Sequence, residues 1–286
     1  MTFFQILMLA IVQGVAELLP VSSSAHVIVV QKLMGLNPTA PEMTLMLVML
    51  HTGTMFAVIV YFWKAWKASF FASITVFRRS LALIVLATFC TGVVGLGLKW
   101  VIEKIFMKDV KHAEIELLFG NMNIIAGALF SVGILIIVAG FFGKTSVGEK
   151  PVGLKESSII GALQGVCLPF RGFSRSGATI SAGLIMGVAK MRAEEFSFAL
   201  AVVLTPPIIA REVMRLMKAR ELIGAGAPSF TGIIYHNLLG MGLSFLAGLV
   251  ALRWLSRWLE RGRWQLFGVY CLCASLTVFL LHRSGF

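Results

Sequence analysis

Long apolar runs dominate the chain and are separated by short polar segments. Six uninterrupted runs are long enough to cross roughly 30 Å of hydrocarbon as helices. They lie at residues 43 to 63, 81 to 98, 117 to 142, 196 to 216, 230 to 252 and 264 to 282. The pattern therefore predicts six transmembrane helices.

Two further regions are hydrophobic but are broken by glycine, proline, serine and charged residues. They lie at residues 1 to 36 and 156 to 192. This pattern is typical of helical hairpins that enter the membrane and turn back. Because non-helical backbone at membrane depth is tolerated only where protein or a wet cavity surrounds it, the two hairpins are predicted to line an internal chamber.

Both hairpins contain the same polar pattern, in which Gln-Gly-Val precedes a proline and a group of serines. Gln13 precedes Ser22 by nine positions, and Gln164 precedes Ser174 by ten. We infer an internal duplication within a single membrane domain, 1–286, with repeats at about 1–143 and 156–286. Each repeat has one hairpin and three spans, and three is odd, so the second repeat is predicted to be inverted. The expected fold class is an all-α polytopic membrane protein with six transmembrane helices and two re-entrant hairpins in an inverted-topology repeat.

Composition excludes a soluble domain. The chain is 58% hydrophobic and only 13% charged, whereas soluble proteins carry about 25% charged residues. The net charge of +12 is concentrated in short segments between apolar runs, where Lys and Arg set topology and contact anionic lipid head groups. We therefore expect membrane lipids as partners and no nucleic acid.

The loop charges predict an orientation. Residues 64 to 79 carry four basic residues and no acid, and residues 253 to 263 carry four arginines and one glutamate, so both loops are predicted cytoplasmic. Residues 99 to 116 balance four lysines against four acids and are predicted outside. The loop predicted at residues 211 to 221 would also lie outside despite its basic excess, which fits the rule less well.

The second hairpin carries the groups that a phosphate site requires. Glycines let the backbone approach a ligand, hydroxyls donate hydrogen bonds, and a guanidinium contacts two oxygens at once. A helix is expected to follow, and its N-terminus would add free N–H groups. The alternative is a capped turn whose arginine reaches toward lipid head groups. The candidate phosphate-binding residues are Arg171, Ser174, Arg175, Ser176, Gly177 and Thr179.

The first hairpin carries a carboxylate, hydroxyls and an imidazole. Gln13 and Glu17 are four residues apart and share a helix face, while Ser22 and Ser23 precede His26 by four and three residues. Such groups activate a nucleophile and move protons, or hold a divalent ion through the carboxylate. The alternative is that the serines cap a helix and that Glu17 pairs with His26.

Two histidines within the spans are expected to matter less. A single histidine inside a membrane helix most often makes a packing hydrogen bond. His236 is interpreted in this way, and His51 is ranked slightly higher because it could approach the chamber.

Together these residues resemble the bacterial undecaprenyl-pyrophosphate phosphatase family, the membrane phosphatases linked to bacitracin resistance. The first family motif is similar to residues 13–17 with their continuation at 19–26, and the second, Pro-Gly-x-Ser-Arg-Ser-x-x-Thr, is matched by residues 172–179. The resemblance covers nearly the whole chain. Two positions depart from it: Gln13 stands where Glu is frequent, and Arg171 stands where Pro is usual.

The resemblance implies removal of the terminal phosphate from undecaprenyl diphosphate, which yields the monophosphate carrier lipid for cell-wall synthesis. It implies a multi-pass protein of the bacterial inner membrane whose active site opens to the outer side. Ser23 is the implied nucleophile with His26 as its proton partner, although His26 could itself be phosphorylated. Arg175 would hold the diphosphate, and Glu17 would bind a divalent cation, Mg²⁺ or Ca²⁺, or orient water.

No organic cofactor is expected, and the oligomeric state stays open between a monomer and a homodimer. The competing interpretation is a transporter or flippase for a polyprenyl phosphate or another anionic lipid, because inverted repeats with broken helices also occur in carriers.

Overall fold

The computed structural model describes residues 1–17, 19–108, 115–142, 150–223, 230–261 and 264–285, with the side chains of 222–223 and 255–261 left out. Within these ranges the regular elements are helices, and there is no strand. The prediction of an all-α protein is confirmed.

The first half begins with two short helices and continues with long ones. The Thr2 side chain caps the first helix, and Pro41 opens the third at a position where its missing N–H costs nothing. A π-helical turn, Ile102–Phe106, extends the fourth helix, and a 3₁₀ helix, Ile115–Gly120, precedes the fifth. The helices are α1 Phe3–Ala16, α2 Ser23–Leu33, α3 Pro41–Phe70, α4 Ile74–Val101 and α5 Met122–Phe142.

The second half repeats this order of lengths. Its first two helices have 14 and 11 residues, as do α1 and α2. The helices are α6 Leu154–Cys167, α7 Arg175–Ile185, α8 Lys190–Ile223, α9 Phe230–Arg261 and α10 Trp264–Arg283.

Six helices in the described residues are long and apolar enough to span a membrane, which confirms the predicted number. The spans are Pro41–Phe70, Ile74–Phe106, Met122–Phe142, Lys190–Glu221, Phe230–Trp254 and Trp264–Arg283. The four short helices are different, since 14 residues at 1.5 Å each extend only about 21 Å. These short helices are too short to cross the hydrocarbon alone.

Helix ends differ from the prediction. Residues 211 to 221, predicted as a loop, belong to α8, and residues 64 to 70 belong to α3. The basic residues there lie on helical turns beyond the apolar stretch, because a helix satisfies its own backbone hydrogen bonds in the head-group region as well. Three of the predictions fall partly outside the described residues. They are the charge counts for residues 99 to 116 and for residues 253 to 263, and the repeat boundary at 143.

Three of the short helices, α1, α6 and α7, are packed against long helices of the opposite half. α1 packs against α9, and α6 packs against α4, while α5 packs against α10. Small residues permit these close approaches: a Cβ on Gly161 of α6 would lie 2.2 Å from the backbone oxygen of Ala87 in α4. Each pair of short helices, α1–α2 and α6–α7, which correspond to the predicted hairpins, is therefore held by the other half of the chain through α1 or α6.

Candidate active site

The turn between α1 and α2 places an acid beside a hydroxyl. Glu17 caps the C-terminus of α1, and Ser23 is the first residue of α2. Ser22 makes this junction with a positive φ of 66°, a conformation that costs energy for a residue with a Cβ. Its hydroxyl oxygen accepts the Ala25 N–H at 3.4 Å and starts the helix. The carboxylate and the Ser23 hydroxyl then face each other.

Glu17 is the centre of a buried polar cluster. One of its oxygens, Oε2, accepts hydrogen bonds from Gln13 Nε2 at 2.7 Å and from Ser23 Oγ at 2.5 Å. His51 of α3 places its Nε2 atom 3.2 Å from the same oxygen and 3.2 Å from Ser23 Oγ. The Glu17 side chain is only 3% exposed, so its charge depends on these neighbours and on a cation.

That cation comes from the second hairpin. Arg175 is the first residue of α7, and its Nη2 atom donates to Glu17 Oε1 at 2.6 Å. Its Nη1 atom donates to the Ser197 carbonyl oxygen of α8 at 3.5 Å. The backbones of the two hairpins also approach closely at Gly177. A Cβ added to this residue would lie only 2.9 Å from the Pro20 oxygen. The Glu17 carboxylate therefore joins the two hairpins by bonding to Ser23 and to Arg175.

A cavity of about 430 Å³ lies over this cluster. Its volume falls in the range of small-molecule sites, roughly 300–1,000 Å³. Apolar side chains of α8 and of the segment between α6 and α7 form much of the wall, and α4 adds threonines and glycines. Its polar wall near the cluster comprises Glu17, Ser22, Ser23, Ser24, His51, Gln164, Arg171, Ser174, Arg175 and Ser176.

Some of the predicted phosphate-binding residues support the loop from behind the cavity wall. Ser174 faces the cavity, but its hydroxyl oxygen accepts the Gly177 N–H at 3.1 Å and caps α7. Thr179 is fully buried; its hydroxyl donates to the Arg175 carbonyl oxygen at 2.7 Å and lies 2.6 Å from Ser197 Oγ. Neither Gly177 nor Thr179 is among the residues that line the cavity. Both therefore position Arg175, whereas Ser176 and Arg171 face the chamber directly.

Gln13 also acts from behind the wall. It is fully buried, and its amide donates to Glu17 Oε2 and, at 3.4 Å, to Thr54 Oγ1 of α3. An amide at this position supplies a donor to the carboxylate, which a second carboxylate could supply only when protonated.

His26 does not meet Ser23 in this structure. Its Nδ1–H donates to the Ser22 carbonyl oxygen at 2.7 Å, which leaves Nε2 to accept the Tyr270 hydroxyl at 2.8 Å. The ring is stacked on Tyr270 of α10 and does not line the cavity. The helical spacing of three and four residues therefore brings His26 to a backbone carbonyl and not to a serine hydroxyl. The pairing of Glu17 with His26 is absent too, since Glu17 bonds elsewhere.

His51 is the histidine beside Ser23. Its Nδ1–H donates to the Leu47 carbonyl oxygen at 2.8 Å, so Nε2 faces Ser23 Oγ and Glu17 Oε2. A neutral ring accepts the Ser23 proton at Nε2, and a protonated ring donates from Nε2 to the carboxylate. His51 was expected to matter less than the hairpin residues but more than His236, because it could approach the chamber, and it does line the cavity. Only the packing of α3 against the hairpins brings it to the site.

Glu17 does not form a ready metal site with its neighbours. In the ranges that the structure covers, no three His, Cys, Asp or Glu side chains converge as a metal-binding group. Both Glu17 oxygens already contact nitrogen or hydroxyl donors. A divalent cation would have to displace one of those donors, so these residues do not fit a resident metal.

The arrangement is suited to phosphoryl transfer. Ser23 supplies a hydroxyl whose proton has two acceptors within reach, Glu17 at 2.5 Å and His51 at 3.2 Å. Arg175, with 21% of its side chain exposed, keeps N–H groups for an anion in the cavity.

Comparison with known proteins gives a consistent result. The model of the family described as bacitracin resistance protein BacA matches residues 6–277. A protein of Acinetobacter baylyi named undecaprenyl-diphosphatase 2 is 52% identical over 98% of this chain and 98% of its own length. Undecaprenyl-diphosphatase 2 of Burkholderia ambifaria is 34% identical over 99% of both chains, and undecaprenyl-diphosphatase of Rhodopirellula baltica is 31% identical over 97% of both. With its whole length matched and both hairpin motifs joined in one buried site, this chain belongs to the BacA family of bacitracin resistance proteins.

Proposed function

We propose that this protein hydrolyses undecaprenyl diphosphate to undecaprenyl phosphate and inorganic phosphate, and so recycles the lipid carrier of peptidoglycan synthesis. Relatives that carry the name undecaprenyl-diphosphatase match the chain from end to end. The observation that carries the proposal is the Glu17 carboxylate, which contacts the Ser23 hydroxyl with one oxygen and the Arg175 guanidinium with the other.

Binding begins with the anion. The terminal phosphate enters the cavity beside Arg175, whose remaining N–H groups form two-point contacts with phosphate oxygens. The N-terminus of α7 and the Ser176 hydroxyl face the same space and add partial positive charge and a donor. These groups offset the negative charge that the phosphate brings to a buried site and hold the phosphorus near Ser23.

The first chemical step is attack by Ser23. Its oxygen forms a bond to the terminal phosphorus while its proton passes to Glu17 Oε2 or to His51 Nε2. The bond between the phosphorus and the bridging oxygen breaks, and its electron pair leaves with undecaprenyl phosphate. Arg175 stabilises the charge on the transferring phosphoryl group.

The second step releases inorganic phosphate. Water attacks the phosphoserine, the bond between Ser23 Oγ and phosphorus breaks, and the stored proton returns to Ser23 Oγ. The group that gave up the stored proton takes the proton of the attacking water and then releases it to the departing phosphate or to solvent, which returns the protein to its starting protonation state.

The assignment of Ser23 competes with a phosphorylated His26. The contacts favour Ser23, because His26 would have to release the Tyr270 hydroxyl and leave its position outside the cavity lining. Ser23 faces the cavity already.

For the membrane arrangement we propose two re-entrant hairpins, α1–α2 and α6–α7, in an inverted-topology repeat. The equal helix lengths in the two hairpins and their packing against the long helices of the opposite half support it. The cavity wall extends to Lys99 near the end of α4 and to Arg211 on α8. These residues lie at the ends that the loop charges predict outside, so the cavity would open to the outer face of the inner membrane.

A transporter for an anionic lipid is the rival function. A carrier needs the cation, but it has no evident use for a serine hydroxyl 2.5 Å from a buried carboxylate. The two functions differ in whether phosphate is released.

The test uses purified protein in detergent with undecaprenyl diphosphate, and it measures inorganic phosphate. The wild type should release phosphate, and Arg175→Ala should lower the rate by on the order of 10³-fold because a cation on the transferring phosphoryl group is lost. Arg78→Ala, which removes an exposed arginine at the start of α4, is the matched control and should behave as the wild type. Full turnover in Arg175→Ala would overturn the proposed site, and the absence of release from the wild type would overturn the function.

A further inference from the structure

The cavity that holds Arg175 is lined by a second group of charged residues. Arg171 lies in the loop between α6 and α7, and Arg211 and Glu212 lie on α8; all three line the same cavity as Arg175. Lys99 of α4 also belongs to this lining. Cationic side chains of the α6–α7 loop, α8 and α4 therefore line the same cavity as the Glu17 cluster.

Among the described residues, Arg171 is held in place without an ion pair. Its guanidinium carbon lies 4.2 Å from the centre of the Phe119 ring, a cation–π contact that fixes the group and leaves its N–H edge open. No residue in the described part of the chain accepts a hydrogen bond from Arg171, and its Nε atom is buried. A buried N–H without an acceptor is costly, and an anion in the cavity would supply one.

The nearby carboxylates are engaged by other arginines. Glu116 forms an ion pair with Arg211, and Glu212 Oε2 lies 3.8 Å from Arg215 Nη1. Both glutamates are buried and do not reach Arg171 within ion-pair distance. Glu116 and Glu212 also attract Arg171 electrostatically, but neither accepts a hydrogen bond from it, so its N–H groups stay available to a ligand.

The reaction proposed above produces an anion that has to leave through water. Undecaprenyl phosphate stays in the bilayer because its chain is apolar, whereas inorganic phosphate is too polar to cross hydrocarbon. Resting on the proposed function, we propose that Arg171 is a second phosphate site, which takes inorganic phosphate from Arg175 and directs it toward the rim at Arg211 and Lys99.

The test measures inhibition by inorganic phosphate alongside the KM for undecaprenyl diphosphate. Arg171→Leu should raise the Ki of phosphate about tenfold, since a charge-assisted hydrogen bond is lost, while KM changes less than threefold. Arg171→Lys keeps the charge without the two-point geometry and should fall between. Phe119→Leu, which removes the ring and keeps the arginine, should raise the Ki in the same direction.

The matched control is Arg220→Leu. Arg220 also lies over a phenylalanine, with its guanidinium carbon 5.3 Å from the Phe230 ring centre, but it does not line the cavity. The Arg220→Leu variant should have the same Ki for phosphate and the same KM for undecaprenyl diphosphate as the wild type.

An unchanged Ki in Arg171→Leu would overturn the second site. A KM that rises by the same factor as Ki would also overturn it, because Arg171 would then bind the substrate itself. Wild-type protein that releases no phosphate would instead contradict the proposed function, so the two failures are distinguishable. If Arg171→Leu fails to fold, Arg171→Lys and Phe119→Leu test the second site instead. Each should raise the Ki of phosphate by a larger factor than the KM for undecaprenyl diphosphate.

Discussion

Glu17 contacts a hydroxyl, a cation, an amide and an imidazole at once. Its Oε1 atom accepts from Arg175 and its Oε2 atom from Gln13 and Ser23, while His51 stands 3.2 Å away. A buried carboxylate that lost these partners would be strongly destabilised. The same contacts that keep Glu17 charged also aim it at the proton of Ser23.

Replacing Glu17 by glutamine tests that role. Gln has nearly the same shape but does not take up the serine proton, so kcat should fall by about 10²- to 10⁴-fold, the usual contribution of a general base. His51→Gln is the matched change: it removes the second proton acceptor, 3.2 Å from Ser23 Oγ, and leaves the Glu17 acceptor at 2.5 Å in place. The fall in kcat should be smaller. Steady-state phosphate release gives both values, and a Glu17→Gln rate within tenfold of the wild type would contradict the role.

The sequence predicted the acid, the hydroxyl and the arginine but not their immediate neighbours. Glu17, Ser23 and Arg175 belong to motifs that can be read locally, and duplication indicates that they meet. His26 was expected at the serine because residues three and four apart share a helix face. Ser22, however, precedes the helix with a positive φ, so its carbonyl oxygen, and not a hydroxyl, meets the ring. His51 depends on long-range packing, which leaves no local signal.

Among the helices, the contact between the hairpins depends on Gly177. A Cβ at this position would lie 2.9 Å from both the Pro20 oxygen and Ile136 Cδ1, closer than real Cβ contacts. The α7 helix can therefore approach the first hairpin only with glycine here.

Gly177→Ala should push the hairpins apart, lower the thermal stability in detergent and reduce kcat more than tenfold, because positioning errors near 1 Å cost about 10²-fold. Gly127→Ala is the control: this glycine also lies in a helix, but an added Cβ meets nothing within 4 Å. It should leave the unfolding temperature and the rate unchanged. Equal behaviour of the two variants would show that the hairpins do not depend on this contact.

An ion pair fastens the base of the second hairpin. Lys150 Nζ donates to Glu156 Oε1 at 2.8 Å and to the Met186 carbonyl oxygen at 3.0 Å. Glu156 Oε2 also accepts the Gly153 N–H at 3.0 Å in the first turn of α6. The hydrogen bond from Lys150 is the main cause that lowers the pKa of the Glu156 carboxyl below its ordinary value of 4.5.

This lowered pKa predicts a pH-dependent difference between the wild type and Glu156→Gln. The pKa of Glu156 is lower in the folded than in the unfolded state, so its charged form stabilises the fold. This stabilisation is complete above the unfolded-state pKa, and it is lost as the pH falls through the folded-state pKa. The wild type should be more stable at neutral pH by about 1 kcal/mol at most, since Lys150 is half exposed. Thermal unfolding of both proteins between pH 7 and pH 3 measures the difference in their stability. A difference that grows toward low pH would contradict the stabilising role of the charged Glu156.

Hydropathy predicted how many membrane-spanning helices the protein has, but it did not predict where those helices end. All six spans were predicted because a run of apolar residues as long as the bilayer is thick is seldom found outside a membrane-spanning helix. α8 continues through residues 211 to 221, which hydropathy assigned to a loop. Charged residues at a membrane surface are compatible with either conformation, so composition alone does not locate the last turn.

In the assembled molecule, the two hairpin bases should lie on opposite sides of the membrane. Asn37 follows α2 at the base of the first hairpin, and Pro151 precedes α6 at the base of the second; both are exposed. In a background without the native cysteines, Asn37→Cys should react with an impermeant maleimide added to intact cells. Pro151→Cys should react only after the membrane is opened. Labelling of both from the same side would contradict the inverted repeat.

The fold as a whole brings one hydroxyl from the first hairpin to one guanidinium from the second, through Glu17. The most direct measurement is the identity of the phosphorylated residue. Protein is mixed briefly with undecaprenyl diphosphate labelled in its terminal phosphate, quenched and digested. The label should be stable to acid, labile to alkali, located on Ser23 and absent from Ser23→Ala. Undiminished turnover in Ser23→Ala, or an acid-labile label on His26, would contradict the mechanism.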